Sequence, residues 1–107
     1  MINVVLYQKG NNIHAFELSG HANSGPYGYD LVCAGVSAVT FGAVNALIEL
    51  SEADPFIQQE DDGGYLYVEL PDSSDNEGDI QTILKAMVVS LETIERDYAS
   101  YIHITRK

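Results

Sequence analysis

Apolar, β-favouring residues dominate 2–7 (Ile-Asn-Val-Val-Leu-Tyr) and again 13–19 (Ile-His-Ala-Phe-Glu-Leu-Ser), with the polar Lys9-Gly10-Asn11-Asn12 between them. Such β-rich runs mark strands and the separator is a turn signal, so the two predict an N-terminal hairpin. Residues 56–60 and 65–70 repeat the pattern around Asp61-Asp62-Gly63-Gly64 and predict a second hairpin. From about Glu77 to Tyr98 the pattern changes: Ile80, Ile83, Leu84, Met87, Leu91, Ile94 and Tyr98 fall three and four apart, the stripe of an amphipathic helix. Ser74 with Glu77 makes a capping box for it, or Asp75 caps it directly. Residues 101–105 alternate as a final strand. Between the hairpins, Leu31 to Ile48 carries no charge at all, and Asp30 stands where an N-cap belongs. The run predicts a helix from 31 to about 50, apolar on nearly every side and therefore the buried central helix of the fold. The order is ββαββαβ, an α+β arrangement in which two helices pack against a mixed or antiparallel sheet. These elements use nearly the whole chain, one domain over residues 1–107.

The uncharged run is 18 residues long, the length at which a membrane span comes into question. It contains Ser37, Thr40, Asn45 and two glycines, and Asp30 and Glu49 close it where a span would carry Lys or Arg anchors, so no membrane association is expected. Charge points the same way about nucleic acid. The chain has 16 Asp and Glu against 5 Lys and Arg, and none of those cations lies between Lys9 and Lys85. Duplex binding needs clustered cations to displace counterions, so no direct nucleic-acid partner is expected, while a basic protein or peptide partner is allowed and acidity alone also serves solubility. The N-terminal residues show no basic leader, long apolar core or small-residue cleavage site, and a cytoplasmic location is expected.

Cys33 is the only cysteine, which excludes an internal disulfide and a CxxC metal pair. It falls in the first turn of the apolar helix, where free N–H groups and the helix dipole favour a thiolate, the nucleophilic form. His21 ends the second strand, and the breaker-rich segment Ala22 to Tyr29 separates it from Cys33. Such a loop can fold back to bring imidazole to thiol, the minimum set for Cys–His nucleophilic catalysis. Taken singly, Cys33 also reads as a small buried hydrophobe and His21 as a turn residue. Asp30 either caps the helix or orients the His21 ring. Ser37, one turn after Cys33, either bonds into the site or back to the Cys33 carbonyl. Gly35 and Gly42 cost helix propensity and suggest close approach of the sheet or of a second subunit. His14 and His103 fall in strands and carry no assigned chemistry. The acidic group Asp72, Asp75, Glu77 and Asp79 lacks the glycine and final glutamate of a calcium loop and reads as solvated, so no metal or cofactor is expected. A phosphatase loop would need Arg where Val39 stands, and no Arg occurs before Arg96 to serve a peroxidatic thiol.

Read together, Gly20-His21-Ala22, Gly28, Asp30 and Val32-Cys33-Ala34, followed by Val36-Ser37, resemble the signature of the ribosomal-processing cysteine protease family, also called Prp. The resemblance extends over the whole chain. It implies a bacterial endopeptidase that removes a short N-terminal extension from a basic ribosomal protein, the twenty-seventh of the large subunit, cutting after aromatic residues and before a small one. It further implies Cys33 as nucleophile and His21 as general base, with Gly20, Asp30 and Ser37 as supporting motif positions, and a homodimer. Leu31 and Gly35 stand where the family more often carries Ile and Ala, and Pro26 is a larger departure within the loop. Two other readings use the same residues. An acidic dimeric module that binds a ribosomal protein without cutting it has no use for the thiol, and a thiol redox enzyme has no use for His21.

Overall fold

The computed structural model of the chain describes residues 1–21, 30–61, 63–71 and 77–107. Its elements are β1 (Ile2–Lys9), β2 (Asn12–Ser19), α1 (Leu31–Leu50), β3 (Phe56–Gln59), β4 (Tyr65–Glu69), α2 (Glu77–Asp97) and β5 (Ile102–Arg106), the ββαββαβ order expected. The five strands form one sheet in the order β3-β4-β2-β1-β5. All neighbouring pairs are antiparallel except β1 and β5, which run parallel, so the sheet is mixed.

Strand alternation decides the two faces. Ile2, Val4 and Leu6 of β1, Phe16 and Leu18 of β2, and Leu66 and Val68 of β4 are cross-strand neighbours, and all are buried. They meet Val32, Val36, Val44 and Leu47 of α1 and Ile80, Leu84, Met87, Val88 and Leu91 of α2 in one continuous apolar cluster. Both helices therefore lie on the same side of the sheet. Fully burying each such side chain is worth about 1.5–3 kcal/mol, which makes this cluster the dominant favourable term.

The register slips once, between Tyr7↔Ala15 and Gln8↔Ile13, which leaves His14 as the extra residue of a bulge. The buried amide of Gln81 repairs the disruption. Its Oε1 accepts the Ile13 N–H at 2.8 Å and its Nε2 donates to the Ile13 carbonyl at 2.8 Å, pinning α2 to the bulge. In α2 the buried residues follow the predicted stripe with two additions, Gln81 and Val88. Tyr98 lies just beyond the helix end and is exposed.

α1 has only one face in the core. Val32, Val36, Thr40, Ala43, Val44 and Leu47 are buried, while Leu31 is 75% and Phe41 44% exposed. With two layers in the fold, a helix can be covered on one side by the sheet and on a flank by α2; nothing among the described residues covers the rest. Of its two glycines, Gly35 faces α2, where an added Cβ would stand an ordinary 3.7 Å from Ile94 Cδ1, and Gly42 has nothing within 4 Å. Neither glycine is required by close approach of the sheet, and the neighbour at Gly35 is α2 at ordinary contact distance. The proposed caps of α2, Ser74 and Asp75, lie outside the described residues, as do Pro26, Gly28 and Asp72.

Candidate active site

β2 delivers the histidine. Its last residues run into Gly20, whose backbone adopts φ +89°, and whose N–H donates to the Gly64 carbonyl at 2.9 Å. Any Cβ at that position would overlap the Met1 carbonyl oxygen. A left-handed backbone conformation and a blocked Cβ together admit only glycine. The next residue, His21, is fixed through its carbonyl, which accepts a hydrogen bond from the Met1 ammonium at 2.7 Å. The imidazole itself is exposed. This is the physical content of the Gly20-His21 pair: the glycine turns the chain out of the sheet so that the histidine sits at its edge.

α1 delivers the cysteine. Asp30 is in extended conformation and its Oδ1 accepts the Cys33 N–H at 3.0 Å, while its carbonyl receives the first intrahelical bond from Ala34 at 3.1 Å. Asp30 is therefore the N-cap of α1. Cys33 forms no disulfide and stands half-buried on the first turn of the helix. The cap has a consequence for the chemistry. The Cys33 N–H, a natural choice for an oxyanion donor at a helix start, is engaged by the Asp30 carboxylate here.

His21 and Cys33 line the same cleft, of about 100 Å³, together with Gly20 and Ser37. Four of the five expected site residues are thus brought to one place, and the fifth, Asp30, caps the helix that carries the thiol. The cleft has a second wall that the sequence reading did not assign: Gln59, Gly63, Gly64, Tyr65 and Leu66, from the β3–β4 hairpin. Phe41, two turns beyond Cys33 and 44% exposed, contributes an aromatic ring to the same space. The signal for the hairpin was the Gly63-Gly64 pair, which marks a turn but says nothing about what the turn faces. Pairing of β4 with β2 is what swings it beside Gly20, through the bond from Gly20 to Gly64. Among the described residues no group of three or more His, Cys, Asp or Glu is arranged to hold a metal ion.

A thiol on the first turn of a helix and an imidazole in the same narrow cleft are the working parts of a cysteine hydrolase. Comparison with known proteins narrows that class. Residues 1–103 match the sequence model of the cysteine protease Prp family. The ribosomal processing cysteine protease Prp of Bacillus subtilis is 52% identical over 95 residues, spanning 87% of this chain and 85% of that protein. An essential ribosomal processing protease Prp from S. aureus, crystallised with a covalently linked product peptide, superposes with a TM-score of 0.93 at 41% identity over all of both chains. The same protease crystallised with a substrate peptide gives 0.86 at 40% identity, again over all of both chains. The chain belongs to the cysteine protease Prp family, and it is a cysteine protease.

Proposed function

We propose that this protease removes the N-terminal extension of a large-subunit ribosomal protein, the twenty-seventh, in the bacterial cytoplasm, with Cys33 as nucleophile and His21 as general acid–base. The observation that carries the reading is the shared cleft of Cys33 and His21 in a chain so similar to proteases named for ribosomal processing. In this scheme the Cys33 thiolate, favoured by the N-terminal end of α1, attacks the scissile carbonyl carbon. A C–S bond forms, and collapse of the tetrahedral intermediate breaks the C–N bond as protonated His21 gives its proton to the leaving amine. Neutral His21 then takes a proton from water, whose oxygen displaces Sγ and releases the carboxyl product.

The cleft's aromatic and apolar lining, Phe41, Tyr65 and Leu66, supports acceptance of an aromatic residue before the cut. The excess of carboxylates supports a basic substrate. Self-association through the outer face of α1 is part of the proposal: Leu31 and Ile48 are exposed there, and no charge interrupts the helix until Glu49. For two copies of net charge −11, an uncharged face is the one on which approach costs least.

Incubating the purified protein with the extended ribosomal-protein precursor and weighing the products tests this reading. Cleavage at one site is expected, reduced at least on the order of a thousandfold by Cys33→Ala and by His21→Ala. Absence of cleavage, or cleavage that survives both substitutions unchanged, overturns it.

A further inference from the structure

Among the described residues, the sheet has a second face that no helix covers. Alternation puts Tyr7 of β1, Glu17 of β2, Phe56 of β3 and Tyr67 and Glu69 of β4 on that side, opposite the buried Leu6, Phe16 and Val68. The aromatic rings there form a chain across the strands. Phe56 and Tyr67 meet edge-on with centroids 6.3 Å apart, and Tyr67 and Tyr7 do the same at 6.4 Å. Phe56 is 58% exposed on an edge strand with no exposed-side partner among the described residues.

Carboxylates border these rings. Tyr65 donates its hydroxyl to Glu17 Oε2 at 2.6 Å, and Tyr67 donates to Glu69 Oε1 at 2.6 Å. Both phenols are pushed up to about 12 by those bonds first and by burial second, so they stay neutral at working pH. Each bond fixes a ring while using only part of its carboxylate's acceptor capacity, which leaves oxygen lone pairs for a further donor. β2, β3 and β4 contribute no Lys or Arg, because none occurs between Lys9 and Lys85.

We propose that the helix-free face of β2, β3 and β4 is a docking site for a cationic polypeptide segment, its Arg or Lys side chains lying over Tyr67 and Phe56 and pairing with Glu17 and Glu69. Ring faces attract cations, and the surrounding carboxylates make the same groove attractive at longer range. Tyr67 is held by its hydroxyl bond to Glu69 and by ring contacts with Phe56 and Tyr7, so little of its side-chain entropy is lost when a segment settles on it. Aromatic sheet faces also stack nucleic-acid bases, but that mode needs cations along the phosphate path, and this face offers carboxylates instead. A second copy of this acidic chain would meet like charge. Tyr65 both lines the catalytic cleft and bonds to Glu17, so the face continues from the cleft around the end of β4. Where the docked segment belongs to a substrate, the inference rests on the protease reading above; the docking itself does not.

Fluorescence anisotropy with a short labelled peptide of alternating arginine and glycine tests the site, alongside a glutamate–glycine counterpart and a polyuridine oligonucleotide. Amide shifts of the isotopically labelled protein map where the peptide sits. The expected result is binding of the arginine peptide alone, weakened by salt, with shifts centred on Glu17, Phe56, Tyr67 and Glu69. Phe56→Ala should weaken it about two- to fivefold and Glu69→Lys about fivefold. Both residues are exposed, and a dispersed amide spectrum checks that each variant is folded. Cleavage of a short uncharged substrate peptide should be unchanged in both variants. Unaltered affinity in both, shifts that map elsewhere, no binding, or equal binding of polyuridine overturns the proposal. Failure of the protease reading would appear instead as absent cleavage with the binding results intact.

Discussion

α1 and α2 are nearly the same length, 20 and 21 residues, and lie side by side on one face of one sheet, yet their sequences obey different rules. α2 is a packing helix. Its inner stripe is buried, its outer side carries Asp79, Lys85, Glu92 and Arg96, and its one buried polar side chain, Gln81, is bonded to the backbone of β2. α1 buries a comparable stripe but leaves Ala34, Ser37, Ala38, Phe41, Gly42, Asn45 and Ile48 exposed on the other side, with no charge among them. A helix that only had to pack would carry charged side chains there, as α2 does. α1 has further tasks: its first turn presents the thiol, Phe41 enters the cleft, and the remaining outer face is proposed to meet a second copy.

The sharpest way to break this contrast is to truncate one apolar side chain on each helix. Leu84 is fully buried in α2, so Leu84→Ala should cost about 2–5 kcal/mol of folding stability, read by urea unfolding. Ile48 on α1 is 45% exposed, and Ile48→Ala should change the stability of the dilute chain by no more than about 0.5 kcal/mol while weakening self-association in sedimentation. Equal losses from the two truncations would mean that α1 is simply a core helix whose cover has been misjudged.

A smaller effect separates the two roles of Asp30. As an N-cap it contributes about 1 kcal/mol, so Asp30→Ala should lower the unfolding midpoint, and Asp30→Asn, an equally good cap, should restore it. Because the observed bond runs from the Cys33 N–H to Asp30 Oδ1, the Asn variant should also retain cleavage activity. Restored stability with lost activity would show that the carboxylate's charge acts on His21 as well.

Most element boundaries were legible because each rests on local chemistry: β-rich runs around a turn signal in β1 and β2, a three-and-four stripe in α2, and an aspartate before an apolar run in α1. What stayed hidden depends on pairing between distant segments. The bulge at His14 is invisible in a β-rich run read by itself, and nothing local to α2 shows that Gln81 serves that bulge. Parallel pairing of β5 with β1 cannot be read from either strand alone. At the site, Cys33 and His21 were legible from chemistry and a short motif, while the wall containing Gly64 and Tyr65 was not, since its place follows from the β2–β4 register. Gly20 lies between these cases: its motif position was visible, and its reason, a positive φ with Met1 against its α-carbon, needed the fold.

The glycines of α1 give the finest test of the comparison. Mid-helix glycine costs about 0.5–1 kcal/mol relative to alanine, and an added Cβ at Gly42 meets nothing within 4 Å. For the isolated chain, Gly42→Ala should therefore raise stability by about that amount, or several degrees in melting temperature for a domain of this size. If the outer face of α1 packs against a second copy, the same methyl group enters the contact, and self-association should weaken as stability at high dilution rises. Opposite signs in the two measurements identify Gly42 as a residue kept for close helix approach. A gain in stability with unchanged association would move the interface off this part of α1 and leave the glycine without a packing role.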